Sequence, residues 1–413
     1  MNSPARETRS SATESATARS IEQAEQFSAN NYHPLPLVLT RGAGVWVWDL
    51  DGKRYLDMLS AYSALNQGHC HPRIVGALKE QADKLTLTSR AFYNDLFGPF
   101  CEKLCSLAGQ EMCLPMNSGA EAVETAIKTA RMWGVRSRGL GRDRAQIITC
   151  NGNFHGRTTT IVGFSSEPQY REDFGPYVPG AFPLIPYGDA GALERAITPD
   201  TVGFLVEPIQ GESGIQVPPD GYLRAVADIC RKNRVLLIAD EIQTGLGRTG
   251  KLFCYEHDGV KPDLVIVGKA LSGGTLPVSA VLGSRETLGL YKPGDHGSTF
   301  GGSPLACAVG MAAIDVIVEE KLSERSAELG EFFMERLRKL NSPHVDHVRG
   351  RGLLIGVVIK HSSGPARPFC EALQQEGILA KETHEQVIRF APPLVVGRKD
   401  LEWALERIER VLA

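Results

Sequence analysis

Short apolar runs alternate with helical patterns between about residues 110 and 300. The runs occupy residues 146–150, 202–206, 235–239 and 264–267. Each run is continuous rather than alternating, which is typical of strands buried on both faces of a sheet. Because helical segments separate the runs, the pattern predicts βαβ units around a mostly parallel sheet, and therefore an α/β fold. We expect residues 76–312 to form this large domain.

The flanking segments have a different pattern. Two alternating runs surround Asp51-Gly52, which predicts a β-hairpin. A charged helical stretch follows residue 314 and leads into a strand pattern at residues 350–359. An amphipathic helix ends the chain, with one apolar face made of Leu401, Leu405, Ile408 and Leu412. These features predict a smaller α+β domain over residues 313–413, to which residues 27–75 are added.

Residues 1–26 contain almost no large apolar side chains. They are rich in Ser, Ala, Thr, Arg and Glu, so they bury little surface, and we expect this segment to be disordered. Ser and Arg are typical of transit peptides, but the four glutamates at positions 7, 14, 22 and 25 are not. No apolar run approaches the roughly 20 residues needed to cross a bilayer. We expect no membrane contact and a cytoplasmic location, with an organellar one left open.

The charge balance and the cysteines narrow the possible functions. A formal net charge of −3 over 413 residues gives no reason to expect nucleic acid as a partner. Nine scattered cysteines, an odd number, fit free thiols in a reducing compartment better than a disulfide framework. His69, Cys70 and His71 are adjacent and so point in different directions, and we expect no metal site there.

Two charged residues stand at the ends of predicted buried strands. Lys269 follows the run 264–267, and Asp240 follows the run 235–239. Parallel strands bring such residues to the carboxyl edge of a sheet, where α/β folds bind ligands. A neutral lysine amine forms a Schiff base, and a carboxylate keeps a pyridine nitrogen protonated, so the pair indicates pyridoxal phosphate (PLP). Taken singly, Lys269 also fits a solvated lysine, and Asp240 a helix N-cap.

Further segments add anion and aromatic contacts. Ser118, Gly119 and Ala120 precede a strong helix, whose first N–H groups favour a phosphate, although an ordinary capped helix explains the same residues. Phe154 lies in a glycine-containing loop and either stacks on an aromatic ring or packs in the core. A second glycine-rich loop, residues 296–303, has hydroxyl groups suited to phosphate oxygens.

Together these segments resemble the class III, or ω-amino, aminotransferases of fold type I, and among them those that act on ornithine. The resemblance runs from about residue 31 to the C-terminus. The segments that show it are residues 31–36, 66–72, 84–93, 207–212, 239–245, 268–274 and 388–393. It implies a large domain with a mostly parallel sheet, a smaller α+β domain and PLP as the cofactor. It also implies a homodimer with active sites at the subunit interface, with a higher oligomer left open.

The resemblance also implies the cofactor residues. Lys269 would bind PLP as an imine and move the proton between the substrate carbon and the cofactor. Asp240 would pair with the pyridine nitrogen, Gln243 would contact the 3′-oxygen, and Phe154 would stack on the ring. The phosphate would be held by Ser118, Gly119, Ala120 and, from the other subunit, Thr299.

The substrate residues follow from the same resemblance. Tyr32 and Arg157 would hold the α-carboxylate of ornithine, which turns its δ-amino group toward the cofactor. Tyr62 would help to select ornithine over shorter ω-amino acids. Arg389 would bind the α-carboxylate of glutamate or 2-oxoglutarate, and Glu212 would mask Arg389 while ornithine is bound.

The implied reaction transfers the δ-amino group of L-ornithine to 2-oxoglutarate. The products are glutamate and glutamate 5-semialdehyde, which cyclises to pyrroline-5-carboxylate. Sister enzymes for acetylornithine or 4-aminobutyrate share Lys269 and Asp240 and stay open as alternatives. A PLP-binding regulator is a further alternative, although the short polar N-terminus shows no helix-turn-helix pattern. His155 stands where ornithine-acting relatives often have tryptophan, and we expect it to affect packing near Phe154 more than chemistry.

Overall fold

The structure is a computed structural model, and it describes residues 15–413. The helices are α1 (Ala16–Phe27), α2 (Ser60–Ser63), α3 (Pro72–Lys84), α4 (Phe97–Ala108), α5 (Gly119–Arg136), α6 (Thr159–Val162), α7 (Pro168–Arg171), α8 (Ala190–Ala196), α9 (Tyr222–Asn233), α10 (Pro304–Glu319), α11 (Leu322–Arg338), α12 (Arg367–Gln375) and α13 (Arg398–Leu412). The strands are β1 (Leu39–Ala43), β2 (Trp46–Asp49), β3 (Arg54–Asp57), β4 (Met112–Met116), β5 (Gln146–Cys150), β6 (Leu184–Ile185), β7 (Thr201–Val206), β8 (Leu236–Asp240), β9 (Leu264–Val267), β10 (Ser279–Gly283), β11 (Val345–Arg351), β12 (Leu354–Ile359), β13 (Ile378–Leu379), β14 (Lys381–Thr383) and β15 (Val387–Phe390). Short 3-10 turns cover Cys254–Asp258, Lys269–Ser272, Leu288–Leu290 and His361–Ser363.

A seven-stranded sheet in the order β4-β10-β9-β8-β7-β5-β6 forms the centre of the fold. Strand β10 is antiparallel to both of its neighbours, and the strands from β9 to β6 run parallel. Every residue of β7, β8, β9 and β10 is buried. The predicted mostly parallel sheet and the α/β class are therefore confirmed, and burial on both faces explains the continuous apolar runs.

Helix α5 covers one face of this sheet. Its Ile127 shares a core cluster with Ile238 and Ile266, whereas the intervening strand residues Leu237 and Val265 belong to the cluster on the other face. The two-residue alternation of an extended chain produces this division. The carboxyl edge of the sheet is consequently held from both sides, and side chains at that edge have fixed positions.

Two four-stranded sheets, β1-β2-β3-β13 and β11-β12-β15-β14, lie beside the central one. Strands β2 and β3 pair antiparallel across a turn in which Gly52 has a φ of +80°, so the predicted hairpin is confirmed. Strand β13 runs parallel to β3, with Ile378 opposite Leu56. This pairing supports the addition of residues 27–75 to the C-terminal part. The boundaries at 75/76 and 312/313 stay a prediction.

One buried arginine links three segments that are far apart in sequence. Arg248 is fully buried, and its Nη1 donates to the carbonyl oxygens of Leu353 at 2.9 Å and Pro392 at 2.7 Å. Its Nη2 donates to Asn66 Oδ1 at 2.5 Å. The planar guanidinium offers several donors in fixed directions, so one side chain holds all three segments together.

The structure differs from the predicted disorder over residues 16–26, which form most of α1. Ser15 caps this helix by accepting a hydrogen bond from the Ala18 N–H, and no residue of α1 is buried. Alanine, glutamate, glutamine and arginine favour a helix even without core contacts, so a segment that buries little surface can still be helical. Residues 1–14 lie outside the described residues. Among the described helices, none has the length and apolar character that crossing a membrane requires.

Candidate active site

The carboxyl edge of the central sheet brings Asp240 and Lys269 together. Strands β8 and β9 are parallel neighbours with Asp240 opposite Ile266, and Lys269 stands two residues beyond the end of β9. Both residues line a cavity of about 150 Å³, together with Phe154 and Gln243. Neighbouring parallel strands produce this meeting, as the sequence indicated.

The Lys269 amine lies in a place that disfavours its charge. The residue has a left-handed φ of +45° and begins the turn Lys269–Ser272, which directs the chain away from the sheet. Burial lowers the pKa of Lys269, the Glu212 carboxylate opposes this shift, and Arg389 adds to it. A lowered pKa increases the fraction of neutral, nucleophilic amine.

Asp240 is hydrogen-bonded on both oxygens. Its Oδ2 lies 2.6 Å from His155 Nδ1, and its Oδ1 accepts from the Ile242 N–H at 3.1 Å. Burial opposes charge on His155, but the hydrogen bond to Asp240 and the charges of Asp240 and Glu207 raise the pKa of His155 overall. The ring of His155 thus directly contacts the carboxylate expected to pair with the cofactor nitrogen. The expectation that His155 affects packing near Phe154 more than chemistry stays a prediction.

Glu207 is a fourth ionisable group at this edge, beside Lys269, Asp240 and His155, and no role was predicted for it. It follows β7, lines the same cavity and accepts the Phe154 N–H on Oε1 at 2.8 Å. Burial raises the pKa of Glu207 to about 7, with the positive charge of His155 opposing the shift and the negative charge of Asp240 adding to it. The signal that identified Asp240, a carboxylate directly after a buried strand, also applies to Glu207.

The start of α5 offers an anion site. Ser118 Oγ accepts the Glu121 N–H at 3.2 Å, and Glu121 Oε2 accepts the N–H groups of Asn117 and Ser118, each at 2.9 Å. This capping box leaves the N–H groups of Gly119 and Ala120 at the positive end of the helix, and both residues line the cavity. Ser118 borders an adjoining cavity that also contains Lys269.

The Phe154 loop packs closely against this helix start. Gly156 has a φ of +126°, and a Cβ placed on it would lie 2.8 Å from the Ala120 Cβ. Only glycine tolerates both the backbone angle and the approach. The loop thereby holds the Phe154 ring in the wall of the cavity. Among residues 15–413, no group of His, Cys, Asp and Glu side chains is arranged to hold a metal ion.

Glu212, in the cavity wall, forms an ion pair with the buried Arg389. Arg389 Nη1 donates to Glu212 Oε1 at 2.6 Å, and Gln243 Nε2 donates to the same oxygen at 3.1 Å. Arg389 is only 1% exposed, and the Tyr62 ring lies 4.9 Å from its guanidinium carbon. Burial by itself would raise the pKa of Glu212, but the charges of Arg389 and Lys269 and the two hydrogen bonds lower it. Glu212 is therefore favoured as a carboxylate, paired with Arg389.

Tyr62 is presented by an unusual left-handed turn. The four residues of α2 have φ angles of 52°, 47°, 61° and 72°, although none is glycine. Asp57 Oδ1 accepts the N–H groups of Leu59 at 2.8 Å and Ser60 at 2.9 Å, and Ser60 Oγ donates to the Ala391 carbonyl at 2.5 Å. These bonds compensate for a conformation that L-residues avoid, and they place the Tyr62 ring beside Arg389.

Six of the predicted residues are not in the wall of this cavity. They are Ser118, Tyr62 and Arg389, described above, and Arg157, Tyr32 and Thr299. Arg157 is exposed, with its guanidinium carbon 3.7 Å from the centre of the Tyr170 ring and 5.5 Å from that of Phe154. Tyr32 is 74% exposed, and Thr299 is also exposed. The structure thus brings together most of the residues predicted to bind the cofactor, but not Tyr32, Arg157 and Thr299, and the roles of all of them stay predictions.

The chemical groups in the cavity fit PLP. The wall offers an amine whose pKa is lowered by burial, a buried carboxylate, an aromatic ring and two helix N–H groups, one for each part of such a cofactor. Gln243 Oε1 and His155 Nε2 are buried without hydrogen-bond partners among the described residues. Unpartnered buried polar atoms are costly, so a polar ligand in this cavity is favoured.

Comparison with known proteins identifies similar sequences and structures. The family model Aminotransferase class-III matches residues 27–412. Ornithine aminotransferase of Geobacillus sp. (strain WCH70) is 59% identical over 399 residues, which cover 97% of this chain and 99% of that protein. The structure of ornithine aminotransferase from Toxoplasma gondii, with PLP at partial occupancy, gives a TM-score of 0.94 at 44% identity and covers 96% of this chain and 94% of that one. The structure of acetylornithine aminotransferase from Elizabethkingia anophelis gives a TM-score of 0.87 at 48% identity, and the match covers 96% of this chain and 98% of that one.

Proposed function

The chain belongs to the class III aminotransferases, and from that membership we propose that it transfers the δ-amino group of L-ornithine to 2-oxoglutarate. The protein is a transaminase, and its cofactor is PLP. Ornithine loses its δ-amino group and becomes glutamate 5-semialdehyde, which cyclises to pyrroline-5-carboxylate. In the second half of the reaction 2-oxoglutarate receives the amino group and becomes glutamate, so the two halves balance.

The cofactor, when bound, supplies an electron-withdrawing ring that stabilises negative charge on the substrate carbon. The residues around it have separate tasks. Asp240 keeps a proton on the ring nitrogen, and its hydrogen bond from His155 holds the carboxylate in place. Lys269 moves a proton to and from the substrate carbon, for which an amine with a lowered pKa is suited. The Gly119 and Ala120 N–H groups hold the phosphate.

The Glu212–Arg389 pair is the observation that supports ornithine as the donor. Ornithine has to present its δ-amino group, whereas glutamate has to present its α-amino group. While Glu212 neutralises Arg389, this arginine does not attract the α-carboxylate of ornithine, and Arg157 is left to hold it. When a dicarboxylate binds, its own carboxylate replaces Glu212 on Arg389.

An amino-donor panel tests the proposal. The holoenzyme is given ornithine, N-acetylornithine or 4-aminobutyrate with 2-oxoglutarate, and kcat/KM is compared. We expect ornithine to exceed the other two by at least roughly a hundredfold, since buried polar groups discriminate strongly when a partner is missing. A preference for N-acetylornithine would assign the chain to the activity named for the Elizabethkingia relative, and the ornithine proposal would be wrong.

The active form is a homodimer in this proposal, with Thr299 of each subunit completing the phosphate site of the other. The exposure of Thr299 supports this arrangement, as do the nearby exposed aromatic residues Phe92, Tyr93 and Phe300, which are 73%, 98% and 58% exposed. Apolar side chains exposed to this degree favour contact with another surface. A cytoplasmic location is also proposed, since all nine cysteines are free thiols.

A further inference from the structure

Arg157 has an aromatic neighbour that the sequence did not indicate. Helix α7 places the ring of Tyr170 under the guanidinium of Arg157, with 3.7 Å between the guanidinium carbon and the ring centre. The Tyr170 ring also meets Phe154 edge-on, at 6.1 Å between centres and 79° between planes. Arg157 is therefore flanked by the ring expected to face the cofactor and by the ring of Tyr170.

Arg157 makes no ion pair with a carboxylate anywhere in the described part of the chain. Arg389 behaves differently, since it is neutralised by Glu212. An exposed arginine normally samples many rotamers, and a planar ring under the guanidinium reduces that freedom without placing a carboxylate on its N–H groups. Stacking thus orients the charge without neutralising it.

Tyr170 itself is suited to this task. It is half-buried, and burial raises its pKa, with the positive charge of Arg157 opposing the shift and the negative charge of Glu212 adding to it. The phenol accordingly stays neutral at physiological pH, so the ring face keeps the electron density that attracts a cation.

We propose that Tyr170 is a positioning residue that orients Arg157 for the carboxylate of the amino donor. The inference deepens the proposed function and rests on it for the identity of that donor. Tyr170 should therefore affect the binding of amino donors that have a carboxylate, and should not affect the binding of amines that lack one. A residue that merely packs the α7 segment would affect both classes alike.

The test compares Tyr170→Leu with Tyr170→Phe, which keeps the ring and loses only the hydroxyl. Tyr177→Leu is the matched control, because it removes an arginine–tyrosine contact, 5.3 Å from Arg171, in the same segment. Two donors are used with the holoenzyme. L-Ornithine has the carboxylate, and 1,4-diaminobutane has the same carbon chain without it.

We expect Tyr170→Leu to raise the KM for ornithine roughly five- to tenfold, with kcat within about twofold, as for loss of a cation–π contact. Tyr170→Phe and Tyr177→Leu should keep the KM within about twofold. The single-turnover rate with 1,4-diaminobutane should not change in any variant. An unchanged ornithine KM in Tyr170→Leu, or an equal loss with the diamine, would overturn the proposal. Tyr170→Gln provides the same comparison if the leucine variant does not fold.

A binding measurement separates this inference from the donor assignment. Pentanoate has the carboxylate and no amino group, and its dissociation constant from the holoenzyme is measured by calorimetry. We expect binding to be about fivefold weaker in Tyr170→Leu than in the wild type or Tyr177→Leu. If the wild type does not use ornithine, the proposed function fails while this result still supports Tyr170. Equal pentanoate binding in all proteins means that Tyr170 does not orient Arg157.

Discussion

At the scale of single residues, Glu212 decides whether Arg389 is available. In Glu212→Ala the arginine is permanently unmasked, so it attracts any α-carboxylate and favours glutamate over the δ-amino pose of ornithine. We expect the ratio of ornithine to glutamate single-turnover rates of the PLP form to fall at least about tenfold. Asp295→Ala, which breaks an ion pair with Arg136 outside the cavity, is the control and should keep the ratio. If the ratio is unchanged in Glu212→Ala, the pair is only structural.

Glu207 gives a prediction for the pH dependence of stability. Its folded-state pKa is raised to about 7 from the ordinary 4.5, so the folded protein holds this proton more tightly than the unfolded chain does. The free energy of unfolding of the cofactor-free protein should therefore decrease as pH rises from 4.5 to 7. Glu207 contributes about 3 kcal/mol at most to this decrease, and its contribution is constant at higher pH. His155, whose pKa is also raised, adds a decrease above pH 6.5.

Glu207→Gln removes the titrating proton and keeps an oxygen for the Phe154 N–H. We expect the difference in unfolding free energy between pH 5 and pH 8, measured by urea denaturation, to become smaller in this variant. The exposed Glu331→Gln serves as control and should keep the wild-type difference. A pH profile of Glu207→Gln that coincides with the wild type would show that Glu207 is ionised throughout this range.

At the scale of elements, the left-handed turn of α2 is the part of the fold most at odds with its sequence. Ala61 is exposed and has a φ of +47° and a ψ of +50°. We expect Ala61→Gly to leave the free energy of unfolding unchanged or to raise it by up to about 1 kcal/mol, because glycine adopts this conformation without a steric penalty. Ala82→Gly in helix α3, also exposed, should lower it by about 1 kcal/mol. Similar losses in thermal or chemical denaturation of both variants would contradict the assigned strain.

The buried strands could be predicted because their sequences have one dominant signal. Strands β5 and β9 coincide with the runs at 146–150 and 264–267, and β8 is displaced by one residue. The turn of α2 could not be predicted, because Ser-Ala-Tyr-Ser contains no residue that favours a positive φ, and its support comes from Asp57 and the distant Ala391. Helix α1 could not be predicted from burial, because none of its residues is buried.

The candidate active site also contains contacts that the sequence could predict and contacts that it could not. Asp240 and Lys269 could be placed together because strand ends determine their positions. The contact of His155 with Asp240 depends on how the loop after β5 folds back, and the position of Tyr170 under Arg157 depends on the loop that leads to α7. Contacts of this kind join loops whose paths are set by tertiary packing, and no spacing in the sequence encodes them.

At the scale of the whole molecule, the proposed dimer is testable by complementation. Lys269→Ala should abolish turnover, because no other group replaces the amine. Thr299→Asp should weaken the phosphate site of the opposite subunit by placing a carboxylate beside it. When the two variants are co-expressed, heterodimers contain one site with neither change, and we expect roughly a quarter of the wild-type activity from random pairing.

Each variant expressed alone provides the control, and both should be almost inactive. The pairing distinguishes the two possible locations of Thr299 in the working site. If Thr299 served the site of its own subunit, every site in the mixture would have one defect, and co-expression would recover nothing. Activity of the mixture no higher than that of the separate variants would therefore contradict the shared site.

The buried Arg248 has a consequence for motion. Its guanidinium holds Asn66, Leu353 and Pro392 at once, and any hinge between these segments would break hydrogen bonds in a place that water does not reach. A hinge opening between these segments is therefore disfavoured. We expect these three segments to stay fixed while substrates enter through local movement of the exposed Tyr32 segment and of the loop around Tyr170. The rate of substrate entry should then depend on the mobility of those two segments.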